Sequence, residues 1–372
     1  MPAISSFSGE SARRAEPDET WQIAIKALSN QQMRLLKSFW PVFVVLLLLS
    51  TAGCGTFIAN QLTQAPKAYP TWFAPKARVM LGFSPKFLTS FPREYVPVGP
   101  PEAKLCYRVV EPADYNLRAT ETNWFEHGHH KFDFTFAADF PAAPNRWTAS
   151  PRGTVVLLHG YALAQFSMAP WALRLAQDGW RCVLVDLRGH GRSTGGRVYF
   201  GLHETHDLSQ LLDQLDRDGQ LTGPVAAMGE SYGAALALRW KNEEPRVKSV
   251  VAIAPYAVLS NAVLNLRSDY APWVPKYFIK AGLKKLPKVL GVQPGALDPE
   301  TVMEKSPISA LFIAGTDDKI MPLAEVRRLE KLARPDSKLI VVPHATHESI
   351  IYFFPDIAQP ILAWLDASAG GK

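Results

Sequence analysis

Residues 229–233 read Gly-Glu-Ser-Tyr-Gly, and this stretch decides both the fold and the location of the chemistry. The apolar run Pro-Val-Ala-Ala-Met (224–228) precedes it, and the helix-forming run Ala-Ala-Leu-Ala-Leu (234–238) follows it. In a strand, sharp turn and helix, the pattern Gly-x-Ser-x-Gly holds a serine at the top of a sheet. Glycine suits the flanking positions of such a strained turn because it has no side chain. The stretch therefore predicts that Ser231 is a nucleophile.

A serine hydroxyl is a weak nucleophile at neutral pH, so it needs a neighbouring base and a third group that orients the base. After a turn of this kind the chain order is serine, then acid, then histidine. Two downstream loops can supply these groups, because each follows an apolar, strand-like run, one at 310–314 and the other at 338–342. The candidate acids and bases in these loops are Asp317, Asp318, His344 and His347.

These features together resemble the α/β-hydrolases, and more narrowly the monoacylglycerol lipase-like and serine aminopeptidase-like esterases. The resemblance also rests on Leu-Leu-His-Gly-Tyr at 157–161 and Asp-Leu-Arg-Gly-His-Gly-Arg-Ser at 186–193. It implies an α/β fold with a mostly parallel central sheet, helices on both faces and a small helical lid insert. The alternation of apolar runs with helical spacing indicates the same βαβ arrangement.

The resemblance also selects among the candidate acids and histidines. In relatives the acid lies three residues after a glycine and four before a proline, which favours Asp318 over Asp317. The histidine stands just before an acidic residue or a small turn, which favours His347 over His344. The expected catalytic triad is therefore Ser231, Asp318 and His347.

Two backbone N–H groups are expected to bind the oxyanion: that of Tyr232, the residue after the nucleophile, and, as the resemblance implies, that of Tyr161. His159, next to the first of these loops, is interpreted as a residue that shapes the loop through hydrogen bonds to the backbone. The stretch 186–193 is interpreted as a structural turn. Neither a cofactor nor a metal is expected, and the histidines near residue 130 are interpreted as part of a solvated loop.

The N-terminal region predicts a membrane attachment. Residues 39–59 carry no charge and are long enough to span a bilayer. Arg34 and Lys37 precede this run, so the catalytic domain should be exported, to the periplasmic side in a bacterium. The run is an uncleaved single-pass anchor, a signal peptide ending at a lipidated Cys54 or a buried core helix. In the second interpretation, translation could begin at Met33.

The predicted organisation has four parts. They are a polar N-terminal segment (1–38), the signal or transmembrane segment (39–59), a Pro-rich tether (60–100) and the hydrolase domain (101–372), with a lid insert at about 261–304. The chain has 372 residues with a formal charge of +6 and no basic block interleaved with aromatics, so no nucleic-acid partner is expected.

The lid insert contains aromatic and apolar residues that are expected to cover an apolar acyl pocket: Trp273, Tyr277, Phe278 and Leu283. Its lysines lie either in water or on an anionic membrane surface. The leading hypothesis is a membrane-tethered serine hydrolase that cleaves carboxylic esters, with a lipid-like substrate of the lysophospholipase or monoacylglycerol lipase type. The alternatives are a serine peptidase with the same triad and a non-catalytic tethered binding module.

Overall fold

The computed structural model describes residues 54–65, 77–84, 87, 89–127, 129–140 and 150–369. The chain divides into two compact units, Met1–Cys54 and Gly55–Lys372. All the described residues except Cys54 belong to the second unit. The fold described below is therefore that of the second unit.

Strands and helices alternate from residue 154 onward, as the spacing of apolar residues predicts, and three consecutive helices between residues 259 and 305 interrupt this alternation. The strands of the described residues are β1 (Arg78–Phe83), β2 (Glu94–Val98), β3 (Ala103–Val110), β4 (Asn116–Glu126), β5 (His129–Asp139), β6 (Thr154–Leu158), β7 (Arg181–Asp186), β8 (Val225–Glu230), β9 (Val247–Ile253), β10 (Leu311–Gly315) and β11 (Lys338–Val342). The helices are α1 (Cys54–Leu62), α2 (Ala169–Gln177), α3 (Glu204–Arg217), α4 (Tyr232–Glu243), α5 (Leu259–Tyr270), α6 (Lys276–Leu290), α7 (Pro299–Lys305), α8 (Leu323–Leu332) and α9 (Phe354–Ala369).

The central sheet contains eight strands in the order β2-β3-β7-β6-β8-β9-β10-β11. The pairs β2–β3 and β3–β7 are antiparallel, and every other neighbouring pair is parallel. Strands β6, β8 and β10 are buried along their whole length, which is expected for parallel strands covered by helices on both faces. The mostly parallel sheet predicted from the sequence is thus confirmed.

The topology brings the predicted site loops to one edge of this sheet. Strands β6, β8, β10 and β11 run in the same direction, so the loops that follow them all open at their carboxyl ends. This edge is where open α/β sheets bind their ligands. The loops carry Tyr161, Ser231, Asp318 and His347 in turn.

A separate three-stranded sheet has the order β1-β5-β4, with β1 parallel and β4 antiparallel to β5. The apolar runs at 105–110 and 132–136 predict two strands that together form the antiparallel start of the main sheet. The first run, in β3, joins that sheet, but the second, in β5, does not, so this part of the prediction was wrong. Phe132, Phe134 and Phe136 alternate with less buried residues, so β5 presents one apolar face. That face stacks on aromatic residues near the start of α9, including Phe353 and Phe354.

The stretch predicted as a Pro-rich tether differs from that prediction. Strands β1 and β2 form within residues 60–100, and β2 is an edge strand of the main sheet. Residues 54–59, the end of the predicted membrane segment, lie in α1, where Ala59 is fully buried. Gly55 and Ala59 are therefore buried against protein, whereas Phe57 is 61% exposed, and the rest of the predicted segment lies outside the described residues. Within the described ranges, no helix combines the length and apolar character needed to cross a membrane.

Candidate active site

Ser231 sits on the sharp turn between β8 and α4. Its backbone has φ 53° and ψ −112°, a conformation that residues with side chains rarely adopt. A Cβ on Gly229 would lie 2.2 Å from the carbonyl carbon of Gly233, and a Cβ on Gly233 would lie 2.2 Å from the carbonyl oxygen of Leu158. Both glycines are therefore required for the close packing that holds Ser231 at the edge of the sheet.

A chain of hydrogen bonds joins the three predicted triad residues. The Oγ of Ser231 lies 2.9 Å from Nε2 of His347, and Nδ1 of His347 lies 2.8 Å from Oδ2 of Asp318. The other oxygen of Asp318 accepts the backbone N–H groups of Ile320 and Met321, at 2.9 and 2.7 Å. The acid is therefore held by its own loop while it orients the imidazole.

The two competing candidates lie outside this chain of hydrogen bonds. Nδ1 of His344 lies 3.7 Å from a carboxylate oxygen of Asp317, and about half of each side chain is exposed to solvent. His344 also stacks on His130, beside Phe125. The alternative pair thus forms a surface contact away from Ser231.

The electrostatics around His347 favour its protonated form. Burial lowers the pKa of this imidazole, but the charge of Asp318, its hydrogen bond and the charge of Glu230 outweigh burial and raise the pKa above the ordinary value. An imidazole with a raised pKa is a stronger base once it is neutral. This property suits a group that must take a proton from a serine hydroxyl.

The loops that carry the expected oxyanion donors lie side by side. The rings of Tyr161 and Tyr232 contact each other edge to face, with centroids 6.1 Å apart. Neither backbone N–H donates to another described residue in the hydrogen-bond network. The two N–H groups therefore stay the expected oxyanion donors.

His159 shapes the loop after β6, as its interpretation from the sequence predicted. Its Nδ1 donates to the carbonyl of Gly160 (2.8 Å), and its Nε2 accepts the N–H of Leu187 (3.0 Å). Burial lowers the pKa of His159 to about 3, so the ring stays neutral and keeps this tautomer. His159 thus ties the loop after β6 to the loop after β7.

The stretch 186–193 is also structural. Asp186 accepts hydrogen bonds from the backbone N–H groups of Gln165 and Arg192. Arg188 forms a two-pronged ion pair with Asp207 that is almost completely buried. These side chains hold the turn and leave no free nucleophile in it.

Glu230 is a residue at the site that the sequence reasoning missed. It immediately precedes the nucleophile and is only 5% exposed. Its Oε2 has no hydrogen-bond partner among the described residues. Burial raises the pKa of this carboxyl to about 7. The sequence feature that could have identified Glu230 is a charged residue at the end of an otherwise apolar strand.

An apolar cavity of about 240 Å³ opens beside Ser231. The lid helices supply much of its wall, including Leu259, Val263, Leu266 and Ile279. The sequence had predicted Trp273 and Tyr277 at this wall, and that was wrong. Their side chains are 64% and 73% exposed, because they lie on the outer side of the lid.

Cys54, the predicted lipidation site, is the first residue of α1. The chain before it lies outside the described residues. Its modification therefore stays a prediction. The backbone places it eight positions before Leu62, which lines the cavity at Ser231.

The chain resembles known hydrolases in sequence and in structure. Residues 149–304, less than half of the chain, match a family model described as serine aminopeptidase, S33. The uncharacterized protein YqkD of Bacillus subtilis is 25% identical over 198 residues, which cover 52% of this chain and 64% of that protein. A monoacylglycerol lipase of Mycolicibacterium smegmatis is 26% identical over 242 residues, which cover 54% of this chain and 84% of that protein.

The fold is shared with a Pyrococcus furiosus esterase of known structure. The match has a TM-score of 0.56 and 20% identity, and it covers 83% of this chain and 99% of the esterase. The sheet order, the serine turn and the lid between β9 and β10 define the class of α/β-hydrolases. This chain has the α/β-hydrolase fold, and its sequence is similar to hydrolases of the esterase and lipase type.

Proposed function

We propose that the protein is a membrane-tethered serine hydrolase that cleaves carboxylic esters with an apolar acyl chain, in the manner of a lysophospholipase or monoacylglycerol lipase. One observation carries the proposal. The hydrogen-bonded series Ser231, His347 and Asp318 opens onto a cavity whose walls are almost wholly apolar. A nucleophile beside a dry, apolar wall suits an ester whose acyl group is a hydrocarbon.

Acylation begins when Oγ of Ser231 attacks the ester carbonyl carbon. Nε2 of His347 takes the hydroxyl proton, and the carbonyl oxygen becomes an oxyanion that the N–H groups of Tyr161 and Tyr232 bind. The bond between the carbonyl carbon and the alcohol oxygen then breaks. His347 gives its proton to the departing alcohol, and the acyl group stays on Ser231.

Deacylation repeats these steps with water. Nε2 of His347 takes a proton from the water as its oxygen attacks the acyl carbon. The bond to Oγ of Ser231 breaks, the proton returns to Oγ, and the carboxylic acid leaves. Asp318 accepts the N–H of Nδ1 throughout, which keeps the proton off Nε2 before each attack.

A serine peptidase with the same triad is the second candidate, because the matched family model is described as a serine aminopeptidase. An aminopeptidase must bind the charged α-amino group of its substrate, for which a carboxylate is the natural partner. Among the described residues that line the cavity there is no carboxylate, and the charged one is Arg267. This lining favours an ester with an apolar acyl group.

A substrate comparison tests this choice. The wild-type protein should hydrolyse p-nitrophenyl acyl esters and leave aminoacyl p-nitroanilides largely intact. Faster cleavage of the anilides would identify a peptidase. A protein that cleaves neither substrate and does not react with a fluorophosphonate probe would be a non-catalytic binding module.

The membrane tether rests on the uncharged run, whose part at 39–53 lies outside the described residues, and on Cys54. Exposed residues of the lid add support, because lysines recur every fourth position on α6 near the exposed Trp273 and Tyr277. Basic and aromatic side chains of this kind suit an anionic lipid surface. The lysines are Lys276, Lys280, Lys284 and Lys288.

Mass spectrometry of the membrane fraction tests the form of the tether. A mature chain that begins at Cys54 and carries diacylglycerol is expected for a lipoprotein, and Cys54→Ser should then block processing. An intact N-terminus at Met1 or Met33 would instead identify the uncleaved anchor. A chain recovered wholly in the soluble fraction would contradict both forms and the periplasmic membrane location.

A further inference from the structure

Residues 55–65 cross the lid and the edge of the sheet, and we call this segment the N-terminal strap. It contains most of α1 and the three residues that follow that helix. The sequence predicted only the end of a membrane segment and the start of a tether at these positions. In the structure, the strap contacts three elements that surround the cavity beside Ser231.

The first contact joins the strap to the lid helix α6 at very short range. A Cβ on Gly282 would lie 2.4 Å from Cγ2 of Ile58, and a Cβ on Gly55 would lie 3.0 Å from the carbonyl oxygen of Ala281. Ala59 is fully buried between these contacts and the rest of the unit. Small residues on both helices therefore allow the two backbones to pack closely.

The second contact joins the strap to the loop after β7. The backbone N–H of Val198 donates to the carbonyl of Thr63 (2.7 Å), and Gln64 forms an antiparallel bridge with Arg197. The guanidinium of Arg197 also donates to Oδ1 of Asn60 (2.7 Å). Backbone and side-chain bonds thus fix the end of the strap in a defined register.

The third contact reaches the loop of the oxyanion site. The hydroxyl of Tyr161 donates to the carbonyl oxygen of Gln64 (3.1 Å). Burial raises the pKa of Tyr161 to about 12, so the hydroxyl keeps its proton at neutral pH. The strap therefore helps to hold Tyr161, whose backbone N–H is expected to bind the oxyanion.

Between these contacts, Leu62 lines the same cavity as Ser231. The cavity wall also includes Ile279 and Val274 of the lid region, and both are apolar. Arg267 also borders the cavity, but its guanidinium donates to the carbonyls of Pro272 and Val274 and so holds the lid loop. A hydrocarbon chain fits this wall better than a polar headgroup does.

We propose that the N-terminal strap is part of the substrate site, where it closes the cavity wall through Leu62 and sets the length of the straight-chain fatty acyl group that the enzyme accepts. The proposal rests on the proposed ester hydrolysis at Ser231 and adds to it the residue that determines acyl length. The lid insert alone does not complete the cavity, because Leu62 lies far from it in sequence.

The test compares acyl-length selectivity in the detergent-solubilised full chain. For each variant, kcat/KM is measured with p-nitrophenyl acetate and p-nitrophenyl dodecanoate, and the ratio of long to short is compared. Leu62→Ala opens the wall, so this ratio should rise about tenfold, since each further methylene that the cavity can bury contributes about fourfold. The matched control is Gln61→Ala, an exposed neighbour on the same helix, which should keep the wild-type ratio.

A second substitution tests the same role if the Leu62→Ala protein does not fold. Leu62→Trp adds volume to the wall, so the preferred acyl chain should become shorter, and a series from acetyl to dodecanoyl measures this directly. Labelling of each variant with a fluorophosphonate probe reports whether Ser231 is still reactive. An unchanged length preference in labelled Leu62→Trp protein would overturn the role of the strap. Absence of labelling in the wild type would instead contradict the proposed function itself.

Discussion

Two kinds of segment form the site: the loops that carry the triad and the strap that borders the cavity. They differ in the contacts that hold them in place. Gly229 and Gly233 lie two residues before and two residues after Ser231. A side chain at either position would clash with backbone atoms that are close in sequence or on the neighbouring strand β6. Leu62 lines the cavity from a helix that packs closely on a distant helix, where Gly282 leaves room for Ile58. The nucleophile is thus fixed by local backbone geometry, whereas the substrate wall depends on packing between distant segments.

This contrast predicts that the largest effects come from the hydrogen-bonded triad. His347→Ala removes the base and should lower kcat on p-nitrophenyl butyrate by at least about 10⁴-fold, since only the oxyanion site and binding then remain. His344→Ala is the matched control and should stay within about twofold of wild type, because loss of an exposed contact changes little. Equal losses in the two variants would show that the imidazole at Ser231 was assigned incorrectly.

Substitution of the acid, Asp318, should give the next largest loss of kcat. In Asp318→Asn, the amide oxygen would take the two backbone N–H bonds from Ile320 and Met321, which turns the NH₂ group toward His347. The proton of the imidazole would then move to Nε2, and kcat should fall about 10⁴-fold.

Asp317→Asn is the control for this substitution, and steady-state kinetics with thermal unfolding curves measure both variants. The control should keep its activity, because Asp317 faces His344 on the surface. A loss of activity in Asp318→Asn that is matched by a large fall in Tm would point to a purely structural acid.

The cavity wall should give smaller effects that depend on the substrate. Ile279→Ala shortens a side chain that lines the cavity, so kcat/KM for dodecanoyl esters should fall several-fold more than for acetyl esters. Tyr277→Ala changes a neighbouring lid residue that is 73% exposed, and its selectivity in detergent should match wild type. Reversed results would mean that the lid presents its other side to the substrate.

The smallest effect concerns pH. Only the neutral form of His347 can accept the proton, so activity falls as pH drops through its pKa, which is raised. Glu230→Gln removes one negative charge that favours the protonated imidazole. The midpoint of the acidic limb of kcat/KM should therefore move to lower pH. Glu304→Gln, an exposed control on the lid, should leave the midpoint unchanged, and a shift to higher pH in Glu230→Gln would contradict the electrostatic account.

The sequence allowed the sheet class and the triad residues to be predicted because each leaves a short pattern. A strained turn demands glycines beside Ser231, and apolar runs that end in polar loops indicate the carboxyl ends of strands. His159 was likewise interpretable, since a histidine between a buried strand and a glycine often bonds to the backbone. Such signals lie within a few residues of the feature that they predict.

The strap, the lid face and the second sheet left no comparable pattern. Gly55 and Ala59 belong to an uncharged run that equally fits a membrane segment, and their packing depends on Gly282. Aromatic content alone also did not distinguish the outer side of the lid, where Trp273 lies, from the inner side. The separate position of β5 depends on partners near residue 353. Tertiary contacts determine these features, and the local sequence does not.

The most direct test of the central claim is to locate the adduct of a fluorophosphonate probe by peptide mass spectrometry. Wild-type protein should carry one probe per chain on Ser231, with labelling strongly slowed in His347→Ala and unaffected in His344→Ala. This result is expected because only an activated serine attacks the probe rapidly. An adduct on another residue, or rapid labelling that persists in Ser231→Ala, would contradict the account.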